Sequence, residues 1–424
     1  MLQTSFIRKN KEIIKKGLLV RNFKEENLDI VDKIIELDDQ RKAIQTKNDN
    51  ALAERNRLSA QIGELFKSGK REEAGVLREQ VNSLKVETVD LEQSLKSTVE
   101  SLQVLLYELP NVPHESVPKG NSDEDNEVYQ DWPKELPVLG EHAIPHWELA
   151  KKYNLFDLEL GVKITGSGFP LYRGKGARLQ RALINFFLDE AIAAGFEEII
   201  PPLMVNEQSA TATGQLPDKE GQMYHATEDN FYLIPTAEVP ITNMYRNVIL
   251  KEEDFPIKLT GHTPCFRREA GSYGAHVRGL NRVHQFDKIE IVQIEHPDRS
   301  YDTLYNMMKH IASLLDKLEL PYRILRLCGG DLGFTSALTY DFEVYSAAQK
   351  RWLEVSSVSN FETFQANRLK LRYKDEKGTH LAHTLNGSAL ALARIFAALL
   401  ENNQTTDGIV IPKALQAYTR FDKI

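Results

Sequence analysis

Two cysteines in 424 residues, Cys265 and Cys328, are too few for a disulfide framework or a cysteine-rich zinc site. A cytoplasmic, reducing location is the simplest expectation. Long apolar runs are also missing. None approaches the roughly twenty residues that a membrane span needs, and the opening stretch MLQTSFIRKNKEIIKKG has no apolar signal core, so no membrane partner is expected. The phosphate-loop pattern G-x-x-x-x-G-K-[ST] does not occur. Gly166, Gly168, Gly174 and Gly176 are scattered through GSGFPLYRGKG without that spacing. There is no excess of positive charge: 53 Lys and Arg face 61 Asp and Glu, a net −8. Bulk charge therefore does not hold this chain to nucleic acid, and any RNA contact must be local.

What is present begins with two heptad seams. Ile30, Ile34, Leu37, Arg41, Ile44, Asn48, Ala51, Arg55, Leu58, Ile62 and Leu65 alternate steps of four and three. After Lys67-Ser68-Gly69-Lys70 a second seam runs from Leu77 through Val81, Leu84, Thr88, Leu91, Leu95, Thr98, Leu102 and Leu105 to Leu109. Two helices of roughly forty residues joined by a tight turn fold back as an antiparallel hairpin reaching roughly 60 Å. Heptads alone also fit a dimerisation or spacer coiled coil. The half nearest the turn is mildly basic, and Arg41, Asn48 and Arg55 sit on the seam, where they fix register or present donors outward. LPNVP at 109–113, followed by the loop-like, acidic 118–127, marks a domain boundary, giving an arm over 1–109 and a globular α+β domain over 110–424.

In the second domain, RLQRALINFFLDEAIAA (178–194) has helical spacing and stops at Gly195, and FEEIIPPLMV follows as a strand broken by Pro201-Pro202. Residues 265–291, CFRREAGSYGAHVRGLNRVHQFDKIEI, read as two strands around a long cationic loop. Phe266-Arg267-x-Glu269 lies on one side and Arg282-x-x-x-Phe286 on the other. An arginine fork can grip a phosphate or carboxylate, an aromatic can stack on a flat base, and Glu269 can accept from amino groups. Period-two alternation puts Phe286 and Glu290 on one face.

Three further segments carry chemistry. Thr236-Ala237-Glu238 after FYLIP offers an acceptor and a carboxylate to an ammonium group, or simply begins a helix. LEVSSVSNF at 353–361 follows the alternating YDFEVYSAAQKRW. Its Glu354 and Ser357, three apart at a strand end, can place hard oxygens around magnesium. HTLNGSALALAR at 383–394 reads as a polar turn entering a helix with Arg394 two turns inside, where an arginine can pair with a phosphate or cover a base face, although on a helix it is more often simply solvated. His380 and His383 form an H-x-x-H without companion ligands, and no zinc is expected.

FRxE with REAGS, RGL and HQFDKIEI resembles motif 2 of the class II aminoacyl-tRNA synthetases, and this wording, with HTLNGS, resembles the seryl-tRNA synthetase family of the common bacterial type. The likeness runs from residue 1 to about 420. It implies a class II antiparallel sheet flanked by helices with an N-terminal coiled-coil arm. Motif 1 would span about 178–205, motif 2 265–291 and motif 3 383–402. The implied activity is conversion of L-serine and ATP to seryl-adenylate and its transfer to the 3′ end of tRNA(Ser), with tRNA(Sec) a further candidate. The implied partners are a second copy of the chain and Mg²⁺.

By the same resemblance, Arg267, Glu269 and Arg394 are catalytic. ATP binding falls to Arg267, Arg268, Glu269, Val283, Phe286, Glu354, Val355, Ser356, Ser357 and Arg394. Serine binding falls to Thr236, Ala237, Glu238, Arg267, Glu290, Asn386 and Ser388. Glu354 and Ser357 are the implied ligands of an ATP-linked Mg²⁺. The HIGH and KMSKS signatures of class I synthetases are absent. Arg268, where the family often has a small Ser, and YSAAQ at 345–349 depart from the pattern. A synthetase-like paralogue that only binds RNA or protein would lose Arg267, Glu290 or Glu354, and a carrier-protein aminoacylating relative would lack the arm; all are present.

Overall fold

The computed structural model describes residues 1–141, 143–219, 221–269 and 278–424. Two compact units emerge. One is Met1–Leu19 with Phe23–Pro110; the other is Val20–Asn22 with Asn111–Ile424.

The first unit is dominated by two 38-residue helices, Ile30–Lys67 and Arg71–Glu108, joined at Ser68-Gly69-Lys70. Gly69 makes the reversal at φ +77°, a conformation that side chains resist. Ile34, Asn48, Ala51 and Leu58 of the first seam are buried against the second helix, whose Thr88 and Leu102 are buried in turn. The seam arginines do not both point outward. Arg41 pairs with the buried Asp38 on its own helix at 2.9 Å, and Arg55 reaches across to Thr88 Oγ1 at 3.4 Å.

The second unit is built on an eight-stranded sheet, in spatial order Glu127–Gln130, Tyr322–Arg326, Leu338–Ser346, Arg351–Asn360, His383–Ala391, Gln285–Glu295, Ile257–Phe266 and Glu197–Glu198. All neighbours are antiparallel except the last pair, which is parallel. One face of the sheet contributes Ile289, Ile291, Tyr340, Phe342, Val344 and Leu385 to a core closed by helices Gly174–Ala193, Ser300–Lys317 and Leu392–Asn402. Polar side chains on the opposite face form the site.

Two elements differ from expectation, and the strand between them is broken at its prolines as expected. The helix read from Arg178 starts four residues earlier, at Gly174, and ends at Ala193 with Gly195 at φ +86° behind it. The strand after it is two short pieces, Glu197–Glu198 and Met204–Asn206, because the intervening prolines cannot donate to a ladder. HTLNGS is not a turn: His383–Ala391 is a central strand, and the helix begins only at Leu392, so Arg394 lies in its first turn. Small polar residues read as loop formers, yet here both edges of the strand are paired, with Gln285–Glu295 and with Arg351–Asn360.

Candidate active site

The hairpin Ile257–Phe266 and Gln285–Glu295 keeps an unbroken register from Ile294 opposite Ile257 to Gln285 opposite Phe266. Alternation therefore holds, and Phe286, Lys288 and Glu290 project to one face. Arg267 follows the first strand, held by its N–H to His284 O at 2.9 Å, and its guanidinium lies 5.3 Å from the Phe286 ring centre. The Arg268 N–H donates to Gln222 O. Glu269 adopts a left-handed φ of +49° and accepts from Arg282 Nε. The middle of the expected cationic loop, 270–277, lies outside the described residues.

Deeper on this face is a group of buried polar side chains. Glu290 is fully buried. Its Oε2 accepts from Thr236 Oγ1 at 2.9 Å and from the buried Lys288 ammonium at 2.7 Å. Its Oε1, also buried, has no hydrogen-bond partner. Thr236 Oγ1 also accepts from the Glu238 N–H at 3.2 Å, so the segment begins the short helix Glu238–Asn243 while the Thr236 hydroxyl donates to Glu290. Ala237 is buried and offers only backbone.

The Glu238 carboxylate accepts from Gln365 Nε2 at 2.7 Å, and Gln365 Oε1 accepts from Thr384 Oγ1 at 2.8 Å. Burial, reinforced by the charge of Glu290, pushes the Glu238 carboxyl up to about 7. Ser388 stands directly opposite Glu290 in the register, and Asn386, two residues away, shares its face.

The same face continues into a cleft of about 730 Å³ whose lining includes Asn281, Arg282, Asp341, Glu354, Ser357 and Arg394. Glu354 and Ser357 are not at a strand end. They lie within Arg351–Asn360, and in a regular strand positions three apart would face opposite ways. A bulge brings them together: Phe342 pairs with Ser356 but Glu343 with Glu354, leaving Val355 as the extra residue. Asp341, opposite Ser357, completes the group. Burial and the nearby Glu354 raise its carboxyl well above the usual range, and its Oδ1 has no partner.

Arg394 donates to Asn281 O at 2.9 Å and Glu354 O at 2.6 Å, and lies 3.5 Å from the Glu354 carboxylate. Val283 and Val355 bury their side chains in the main core, and Ser356 Oγ donates to Ser388 O, so these three offer the cleft backbone atoms only. Asp341, Lys288 and Gln365 were not singled out in the sequence. A lone polar residue inside a strand or helix gives no signal until the register is known.

Comparison with known proteins agrees with this geometry. Residues 1–113 match the seryl-tRNA synthetase N-terminal domain, and residues 222–403 match the class II tRNA synthetase core domain described for G, H, P, S and T. A "Serine--tRNA ligase" of Salinibacter ruber is 50% identical, covering 100% of this chain and 99% of that one. The chain belongs to the seryl-tRNA synthetase family. A second serine–tRNA ligase, from Chlorobaculum parvum, is 44% identical over the full length of both chains. The crystal structure of seryl-tRNA synthetase from Pyrococcus horikoshii complexed with ATP superposes with a TM-score of 0.91 at 32% identity, covering 100% of this chain and 99% of that one. Among the described residues no helix is long and apolar enough to cross a membrane.

Proposed function

We propose that the pocket around Glu290 selects serine and that the adjoining cleft takes ATP, so that this face of the sheet carries both half-reactions. As a family member the chain is a serine–tRNA ligase, an ATP-dependent enzyme. The observation that carries the assignment of the pocket is the unpartnered, buried Oε1 of Glu290. A buried acceptor left unpaired costs about 1–3 kcal/mol, and a substrate hydroxyl at that point relieves it. Alanine cannot, so the same atom rejects it. Glu238 takes the ammonium group, with Asn386 and Ser388 lining the opposite strand. Threonine is excluded by volume.

In the cleft, Arg267 bridges the serine carboxylate and the α-phosphate and is itself steadied over Phe286. The adenine stacks on Phe286, its amino edge toward Glu269, which Arg282 orients. Arg394 meets the terminal phosphate. The serine carboxylate oxygen attacks the α-phosphorus and pyrophosphate leaves. A tRNA ribose hydroxyl then attacks the adenylate carbonyl carbon and AMP leaves. Such transfers need positioning and charge neutralisation more than a protein nucleophile.

Glu354 and Ser357 would suit a magnesium ion bound with ATP, because their hard oxygens line one cleft beside Asp341, whose buried Oδ1 has no partner. Among the described residues no three His, Cys, Asp or Glu side chains form a ready-made cation site. That agrees with an ion that draws most of its ligands from phosphates and water. Held by Glu354 and Ser357, such an ion would supply positive charge against the phosphates of ATP.

The helical hairpin serves as the tRNA-binding arm over 1–109 and 110–424 as the catalytic domain. Exposed Ile200, 89% accessible beside Pro201-Pro202, fits a homodimer contact. A cytoplasmic location fits the two free cysteines, Cys265 and Cys328. ATP–pyrophosphate exchange with each amino acid tests the assignment: serine alone should support it, and exchange driven by another amino acid would remove Glu290 from its role.

A further inference from the structure

Behind the cleft lies a buried polar cluster with no part in the roles assigned above. Its centre is Glu401, fully buried in the last turns of Leu392–Asn402 and seven residues beyond Arg394, hence on the same side of that helix. Glu401 Oε1 accepts from the His146 N–H at 2.8 Å and lies 2.6 Å from His146 Nδ1. His146 is also fully buried, and its Nε2 accepts the Leu280 N–H at 2.8 Å. With Nε2 taken up by the Leu280 N–H, the Nδ1 side of the ring is the one that can donate to Glu401. Burial alone would raise the Glu401 carboxyl, but the His146 and Ser346 hydrogen bonds hold it below its usual range.

Gln349 adds a second branch. Its Nε2 donates to Glu401 Oε1 at 2.9 Å, while its Oε1 accepts from Asn281 Nδ2 at 2.9 Å. Ser346 Oγ donates to Glu401 Oε2 and accepts the Gln349 N–H at 3.0 Å. Ser346 and Gln349 come from YSAAQ, the segment that departs from the family wording.

Both branches end on the turn 278–281, where the motif 2 loop returns to its strand. His146 holds Leu280 N–H, Gln349 holds the Asn281 side chain, and Asn281 O in turn accepts from Arg394 Nε at 2.9 Å. Gly279, at φ +71°, packs so closely that an added Cβ would lie 2.2 Å from His146 Nε2.

We infer that Glu401, His146 and Gln349 are positioning residues that lock the returning turn of motif 2 to the helix of Arg394 and so set where that arginine meets the nucleotide. The inference rests on the assignment of Arg394 to the terminal phosphate. A clamp of this kind acts on ATP and leaves serine recognition, on strands further along the sheet, alone.

The test is steady-state ATP–pyrophosphate exchange by the full-length enzyme, with the competent fraction counted by active-site titration, for Arg394→Ala, Glu401→Gln and Gln349→Ala. Gln349 is only half-buried, so its variant keeps the test open if Glu401→Gln fails to fold. The expected result is a rise in KM for ATP of about fivefold or more for each folded variant, about the effect of one neutral hydrogen bond, with KM for serine within twofold of the parent. Equal changes in both KM values, or a loss confined to the titrated fraction, would mean a purely structural cluster and overturn the inference. A raised KM for ATP in Arg394→Ala alone overturns the clamp but keeps the role of Arg394. An unchanged KM in Arg394→Ala overturns both.

Discussion

With Glu238 as the proposed seat of the serine ammonium, serine binding becomes a proton-linked event. Its carboxyl is pushed up to about 7 by burial first and by the charge of Glu290 second. In the proposed complex the serine ammonium sits against it, an opposite charge that favours the ionised form and draws the carboxyl back toward its ordinary value of 4.5. Free enzyme then holds the Glu238 proton in about nine molecules of ten at pH 6 and about one in ten at pH 8, and binding expels it. Serine affinity should fall about tenfold from pH 8 to pH 6, with close to one proton released per serine at pH 6 and about 0.1 at pH 8.

Calorimetry in buffers of different ionisation enthalpy reads the release directly. Stability should show the opposite face of the same linkage. A carboxyl raised in the folded state contributes stability that is fully present below the unfolded value of 4.5 and is lost as pH rises through about 7. The span of about 2.5 pH units is worth about 3.5 kcal/mol at about 1.4 kcal/mol per unit. Serine should therefore stabilise the enzyme more at pH 8 than at pH 6. Glu238→Gln should abolish both dependences. A proton release that survives in Glu238→Gln, or an affinity that is flat between pH 6 and 8, would refute the reasoning.

Three other outcomes are expected. Arg267→Ala should cut serine-dependent pyrophosphate exchange by at least about 10²-fold; near-normal exchange in a folded variant would remove Arg267 from the mechanism. Replacing Asn27–Leu109 by a short linker, which keeps Val20–Asn22 for the catalytic unit, should leave serine activation nearly intact and abolish tRNA charging, and a folded product that cannot activate serine would show the arm to be part of the catalytic domain's support. Glu290→Ala should cost serine far more than alanine and narrow the ratio of their kcat/KM values by about tenfold or more; equal losses for the two amino acids would place Glu290 at the shared ammonium group.

The parts of the site that were legible in the sequence are those where local rules hold without interruption. Phe286 and Glu290 could be put on one face because the hairpin has no bulge between its own two strands, and the arm seams could be read because 3.5-residue spacing persists over ten or so turns. Glu354 and Ser357 share one cleft, yet alternation alone forbids that pairing; only the extra residue Val355 permits it, and nothing in LEVSSVSNF announces a bulge. HTLNGS misled for a related reason. Its Asn386-Gly387-Ser388 would favour a turn in isolation, and strand pairing on both sides overrides that preference. Asp341, Lys288 and Gln365 were silent because their role depends on partners far away in sequence: Gln365 meets Glu238 across 127 residues.

Lys288 explains why one pocket can hold two carboxylates that act differently. Two buried carboxylates with no counter-charge would repel, and desolvation would protonate one or both. Here the Lys288 ammonium lies 2.7 Å from Glu290 and is itself only 6% accessible, so the attraction acts where water screens little. Glu290 is thus supplied with a cation from its own strand, and what remains at its free oxygen suits a neutral hydroxyl donor. Glu238 receives only an amide hydrogen bond from Gln365, which leaves its charge unmet until a substrate brings a cation. An ammonium group is drawn to the carboxylate that lacks a partner, and the hydroxyl falls to the one that already has one. On the proposed assignment, the orientation of serine would follow from that inequality rather than from shape alone.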